Sequence, residues 1–174
     1  VGDAVLKQTA EIITHSLRAS DRAYRWGGEK FMVVLPDTER DGMIVIAEKI
    51  NQSFRDESFD VIFCNHVLEH IIDDKKAMSE LYRVMKKGGW GILQVPMKNS
   101  LGKTYEDFTI TDPKERQKHF GQYDHVRWYG MDYFERLKSV GFSVDINFYS
   151  QKFSEQEQKR FGLNVTEILP IVRK

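Results

Sequence analysis

The chain has one cysteine, Cys64, so no internal disulfide can form and a reducing compartment is expected. It has no apolar run approaching the ~20 residues of a membrane-spanning helix, and no basic, apolar, small-residue leader at its start. It also lacks an initiator methionine: Val1 comes first, and the chain is expected to begin inside a longer sequence. There is no excess of charge of either sign. Residues 1–57 hold 8 Lys/Arg against 10 Asp/Glu and the remainder 18 against 16, which argues against a nucleic-acid module and against an acidic tail. No internal repeat or low-complexity stretch is present. What is left is a cytoplasmic globular protein of 174 residues, a length suited to one ordinary domain.

The patterns that are present alternate between helix and strand. Val5, Leu6, Thr9, Ile12, Ile13 and Leu17 fall on one face of a helix over 4–18. Residues 23–26 and 31–35 read as two strands around a Gly27-Gly28 turn, the second apolar throughout and so expected to be covered on both faces. A helix over 39–54 follows, with Thr38 and Asp41 spaced as a capping box. Then come a strand over 59–65, a helix capped by Asp73-Asp74 and ended by Gly88-Gly89, and a strand over 90–96. The stretch 97–128 carries only a weak helical patch after Pro113. A connection of that length inside a compact domain is usually functional. A helix over 132–140, an alternating strand over 142–148, a polar helical or loose segment and a last strand over 165–172 complete the chain.

Arg25-Trp26-Gly27-Gly28-Glu29-Lys30-Phe31 resembles the signature hairpin of GGDEF diguanylate cyclases, with Lys30 where that family has an acidic residue. Val1 to Leu6 resembles its guanine-binding stretch, and Val33 to Thr38 the strand and turn after the signature. The resemblance implies a Mg²⁺ carboxylate at Glu29 and a cyclic di-GMP inhibition site at Arg18 and Asp21, an R-x-x-D sequence five residues before Gly27. An arginine fork suits phosphate or guanine edges. With a cation at position 30, cyclase turnover is not expected. An ordinary hairpin glycine pair and a solvated Arg–Asp pair are the plain structural alternatives.

From Ser58 onward the pattern changes. Phe59 to Ile71, with Asn65-His66-Val67-Leu68-Glu69-His70, resembles the fourth strand and following loop of a Rossmann-like S-adenosylmethionine-dependent methyltransferase. Met78 to Trp90, Ile92 to Pro96, Phe120 to Gly130 and Leu137 to Val144 resemble the elements that follow in it. That family holds its cofactor with a Gly-rich turn and a ribose-binding acidic residue from its first half. Upstream of residue 58 there is no G-x-G-x-G run. The resemblance leaves Asn65, His66 and Glu69 as a partial cofactor edge, with Asp37 as a substitute carboxylate. His125, beside Asp124, is a candidate general base, and a loop hydrogen-bonding role is its plain alternative. His66 and His70 would have metal-ligand spacing on a helix, but the resemblance places them on a loop and no third ligand is evident, so no metal is expected.

The expectation is therefore an α/β fold: a single three-layer domain over 1–174 built from fragments 1–57 and 58–174. Its mixed, mostly parallel sheet would have about six strands, with helices on both faces. The expected strand order is 23–26, 31–35, 59–65, 90–96, the C-terminal strand, 142–149. The function expected is a recombined or engineered chimera, a folded scaffold without evolved catalysis. The alternatives are a degenerate methyltransferase with weak S-adenosylmethionine or S-adenosylhomocysteine binding, and a cyclic di-GMP binder. Neither nucleic-acid nor membrane partners are expected. The short strand 23–26 is an edge open to homodimer pairing.

Overall fold

The computed structural model describes residues 2–28 and 30–174. The chain is a mixed α/β protein that divides into two compact units, 1–55 and 56–174, a boundary within two residues of the change in sequence pattern.

In the first unit, helix α1 (Gly2–Ser16) is followed by strands β1 (Arg22–Gly27) and β2 (Lys30–Val34) and by helix α2 (Arg40–Ser53). β1 and β2 form an antiparallel hairpin. Gly27 and Gly28 both take positive φ at its turn, +146° and +53°, which side chains with a Cβ rarely adopt. α1 packs on α2, and the Lys49 ammonium donates to the carbonyl of Ser16 at 3.0 Å, placing a cation at the negative end of α1. Ile13 and Ile46 are the apolar side chains buried here among the described residues. The capping box expected at Thr38 and Asp41 does not form. Glu39 is the N-cap residue and makes no side-chain cap bond, while the Thr38 hydroxyl donates to the carbonyl of Pro36.

The second unit holds a four-stranded sheet in the order β3 (Phe59–Phe63), β4 (Met85–Ile92), β8 (Leu169–Arg173), β7 (Ser143–Asn147). β3 and β4 are parallel, and β8 runs antiparallel to both its neighbours, as expected for those four segments. The sheet is smaller than the six strands expected: it has four, and β1 and β2 form a sheet of two in the first unit. The apolar run of β2 is not covered on both faces, because Met32 and Val34 are exposed.

Helix α3 (Asp74–Val84) carries the expected cap, the Asp73 carboxylate accepting from the Lys76 amide at 3.0 Å. The Gly88-Gly89 pair does not end this helix; it lies within β4, which begins at Met85. A reason lies in the close approach of the neighbouring strand. A Cβ at Gly91 would stand 2.5 Å from the Ile62 carbonyl oxygen, and one at Gly89 would stand 3.0 Å from that of Asp60. Residues 97–128 resolve into β5 (Tyr105–Glu106), helix α4 (Pro113–Phe120) and β6 (Arg127–Trp128), with β5 and β6 paired antiparallel. Helices α5 (Tyr133–Ser139) and α6 (Glu155–Phe161) precede β7 and β8 respectively, α6 starting with a complete Ser154–Glu157 capping box.

The core of this unit joins Leu68, Met78, Met85, Leu93, Tyr129, Tyr133, Phe134, Leu137, Phe142 and Val172. α3 and α5 bring their apolar faces to the sheet, and the Tyr133 hydroxyl donates to the Leu93 carbonyl at 2.6 Å. No described helix is long and apolar enough to cross a membrane.

Candidate functional site

Open α/β sheets bind ligands outside the carboxyl ends of their parallel strands. In the second unit those ends are Cys64-Asn65-His66, after β3, and Gln94 to Met97, after β4. Cys64 is buried, and that burial pushes its thiol up to about 11, so it is no nucleophile at neutral pH. Asn65 and His66 are exposed, with the His66 backbone in the left-handed region at φ +55°. The chain then forms a single 3₁₀ turn, Leu68–His70, that buries Glu69 to 1% exposure. A crevice of about 230 Å³ opens beside it, lined by His66, Gln94, Pro96, Asn99, Thr166 and Glu167 among others.

The 3₁₀ turn is held from beneath by Arg127, whose guanidinium is fully buried. Its Nη1 donates to the carbonyls of Leu68 (2.9 Å) and Ile71, its Nη2 to Ile72 (2.8 Å) and its Nε to Oε2 of Glu106 (2.9 Å). Arg136 donates to Oε1 of Glu106 at 2.8 Å and to Oδ2 of Asp74 at 3.0 Å, and the Tyr129 hydroxyl donates to the same Asp74 oxygen at 2.9 Å. Five polar side chains from four segments thus close on one another. Burial alone would raise the Glu106 carboxyl, but the hydrogen bonds from Arg136 and Arg127 outweigh it and hold it below the usual value. A carboxyl depressed in the folded state contributes stability above its unfolded pKa and loses it as pH falls through the folded value. Unfolding midpoints are therefore expected to drop as pH falls below about 4.5, the ordinary glutamate value. Glu106→Gln should flatten that part of the profile, as read by urea unfolding at pH 3 to 6.

The histidines meet on the other side of the turn. His125 is buried, and its Nδ1 lies 3.3 Å from the Phe120 carbonyl oxygen. Burial lowers its pKa, favouring the neutral imidazole. Asp124 does not orient His125, the arrangement a general base would use. Its Oδ2 and its backbone oxygen both stand 3.4 Å from Nδ1 of His70 instead. The His70 and His125 rings meet edge to face, 4.8 Å between centroids. Among the aromatics, Tyr129 is in the core, Trp128 is half-buried under the Lys98 ammonium, and Trp90 and Tyr105 lie at the rim.

The residues singled out in the first unit sit differently. Asp21 is buried, its Oδ2 accepting from the Arg18 amide at 2.9 Å, while the Arg18 side chain is exposed. That carboxylate closes a tight turn after α1. Asp37 is exposed at the turn after β2, with φ +49°. Glu29 lies outside the described residues.

A family model for the diguanylate cyclase GGDEF domain matches residues 1–62, and a methyltransferase-domain model matches residues 32–93. The chain joins a GGDEF-like segment to a methyltransferase-like segment. Both models cover 32–62, where β2, α2 and β3 give a strand–helix–strand pattern that either alignment can use. Diguanylate cyclase A of Treponema denticola is 40% identical over 57 residues, 33% of this chain and 15% of that protein. An uncharacterized protein of Methanocaldococcus jannaschii is 33% identical over 100 residues, 57% of this chain and 45% of that protein. The chain thus spans less than half the length of these curated relatives. Among solved structures, an S-adenosylmethionine-dependent methyltransferase from Mesorhizobium loti has a TM-score of 0.45 at 12% identity, covering 68% of this chain and 63% of that one. One from Archaeoglobus fulgidus has a TM-score of 0.42 at 17% identity, covering 74% and 65%.

Proposed function

We propose that this is a recombined two-part protein. Its second unit keeps the acceptor side of a methyltransferase-type site without the cofactor side, and so acts as a folded scaffold rather than an efficient methyltransferase. The observation that carries this reading is the place of β3 at the edge of its sheet, in the order β3-β4-β8-β7. In the family that the sequence resembles, the strands beyond that edge supply the Gly-rich turn and the ribose-binding carboxylate.

The groups present at the carboxyl ends of β3 and β4 do not fit S-adenosylmethionine. The Gln94 amide donates to Oε1 of Glu167, and the Asn99 amide to the carbonyl of Thr166, so two of the crevice's amide donors are engaged by its own lining. Glu69, buried in the adjacent 3₁₀ turn, does not line the crevice, and its Oε1 lies near His66 and His70.

A second reading is a degenerate methyltransferase with residual cofactor affinity, favoured by the persistence of the 230 Å³ crevice at the carboxyl ends of the parallel strands. Calorimetric titration of the chain with S-adenosylhomocysteine separates the two. A parallel titration with cyclic di-GMP tests Arg18 and Asp21, where the turn already occupies one Asp21 oxygen.

A further inference from the structure

We propose that Glu69, His70 and His125 form a binding site for a divalent first-row transition metal of the zinc class. The decisive group is Glu69. Both of its carboxylate oxygens are buried and neither has a hydrogen-bond partner among the described residues. A buried carboxylate in that state is costly, and buried charges are normally paired or coordinate a metal. The cationic candidates near Oε1 stand beyond hydrogen-bond geometry for a strong pair: His66 Nδ1 at 3.5 Å and His70 Nε2 at 3.9 Å.

The two buried-side histidines face this carboxylate with their other edges already engaged. His70 Nδ1 is turned to Asp124, 3.4 Å from both its backbone oxygen and Oδ2. His125 Nδ1 is turned to the Phe120 carbonyl at 3.3 Å. An imidazole that donates from Nδ1 to a carbonyl or carboxylate presents the Nε2 lone pair on the opposite side. Metal-bound histidines are fixed in this way, with an outer carboxylate or carbonyl setting the tautomer. Two nitrogen lone pairs and a carboxylate turned to one spot repel unless a proton or a metal cation lies between them, and neither Glu69 oxygen receives a hydrogen bond.

The ligand atoms of the three residues all lie within 4.8 Å of one another. Bonds of ~2.0–2.2 Å in a tetrahedral site need ligand atoms ~3.3–3.6 Å apart. Closing the difference takes side-chain movement of about an ångström. The backbone already brings both segments together, since the Val126 amide donates to the Glu69 carbonyl at 3.0 Å. Two imidazoles and one carboxylate suit zinc, or cobalt in its place. The fourth position faces exposed His66, leaving it to that ring or to water.

The test uses the full chain without an affinity tag, stripped with a chelator and titrated with Zn²⁺ by calorimetry and with Co²⁺ by visible absorption. The site predicts one equivalent bound at micromolar or tighter affinity, and a tetrahedral cobalt spectrum. Glu69→Gln and His125→Gln should each weaken binding at least tenfold. His70→Ala should do the same; it is half-exposed, so it keeps the test valid should either buried variant fail to fold. His119→Gln, on exposed α4, should leave binding unchanged. Absent or substoichiometric binding, or equal affinity in the wild type and His70→Ala, would overturn the proposal. So would a histidine NMR titration that showed His70 as a plain imidazolium partner of Glu69 with no metal uptake. None of these outcomes depends on S-adenosylhomocysteine binding.

Discussion

Replacing Arg127 with Met is expected to cost about 3–5 kcal/mol of folding stability, the range for breaking a buried ion pair from one side. The reason is the company this side chain keeps. Its guanidinium is fully buried and donates to the carbonyls of Leu68, Ile71 and Ile72 as well as to Glu106. Methionine fills similar volume but leaves those acceptors unsatisfied. Each buried orphan carries a desolvation penalty of about 1–3 kcal/mol. Lysine is a poor substitute because a point ammonium cannot span three carbonyls and a carboxylate at once. Urea unfolding at neutral pH measures the effect. A loss below about 1 kcal/mol would mean that the network is surface-like and that the 3₁₀ turn carrying Glu69 is held by something else.

The second large effect expected is in hydrogen exchange. Amides of the β1–β2 hairpin should exchange at least about 100-fold faster than those of β4 and β8, because exchange protection follows local burial and contact density. The first unit buries Ile13 and Ile46 among its described apolar side chains, while Tyr24, Trp26, Met32, Val34 and Val45 are exposed. The second unit sets β4 and β8 side by side over a core that includes Met85, Leu93 and Val172, all at zero exposure. Mass-spectrometric exchange over seconds to hours at neutral pH reads the difference directly. Equal protection in the two regions would show that burial by side-chain count misjudges where this chain is stable.

The elements most legible in the sequence were those with a clean period and a chemical stop. The helices now seen as α1, α2, α3 and α5 have apolar residues at helical spacing, and Asp73 caps α3 as its position suggested. The order of β3, β4, β8 and β7 was also readable, because the resemblance to methyltransferases supplied a topology that periodicity alone does not. Where the reading failed, a local signal had two physical outcomes. The run Phe31 to Leu35 is apolar enough for a buried parallel strand, yet it closes a hairpin with β1, since a two-glycine turn favours its nearest partner. Gly88 and Gly89 look like a helix stop, but they lie within β4, where Gly89 passes close to β3 and Gly88 takes φ +76°.

The candidate site was only half readable. His66, Glu69 and His125 could be named from sequence, and the resemblance put His66 and His70 on a loop, which the structure shows as a left-handed residue followed by a 3₁₀ turn. His125 comes from beyond a loop with no periodic signal, so nothing local announced that it would meet His70. Arg127 was passed over altogether. A faint signal existed in a lone arginine between Val126 and the aromatic pair Trp128-Tyr129, since a charge amid apolar neighbours is buried only when well paired.

The measurement that bears most directly on the central claim is the dissociation constant for S-adenosylhomocysteine, by calorimetry on the full chain. Hydrogen bonds to a charged group contribute about 1.5–3 kcal/mol each, so lacking the two or three that orient this ligand removes most of a micromolar affinity. A scaffold that keeps only the acceptor side should bind no tighter than about 1 mM, near −4 kcal/mol. A dissociation constant of roughly 1 μM, weakened by Asp37→Ala, would contradict the account and show a rebuilt cofactor pocket.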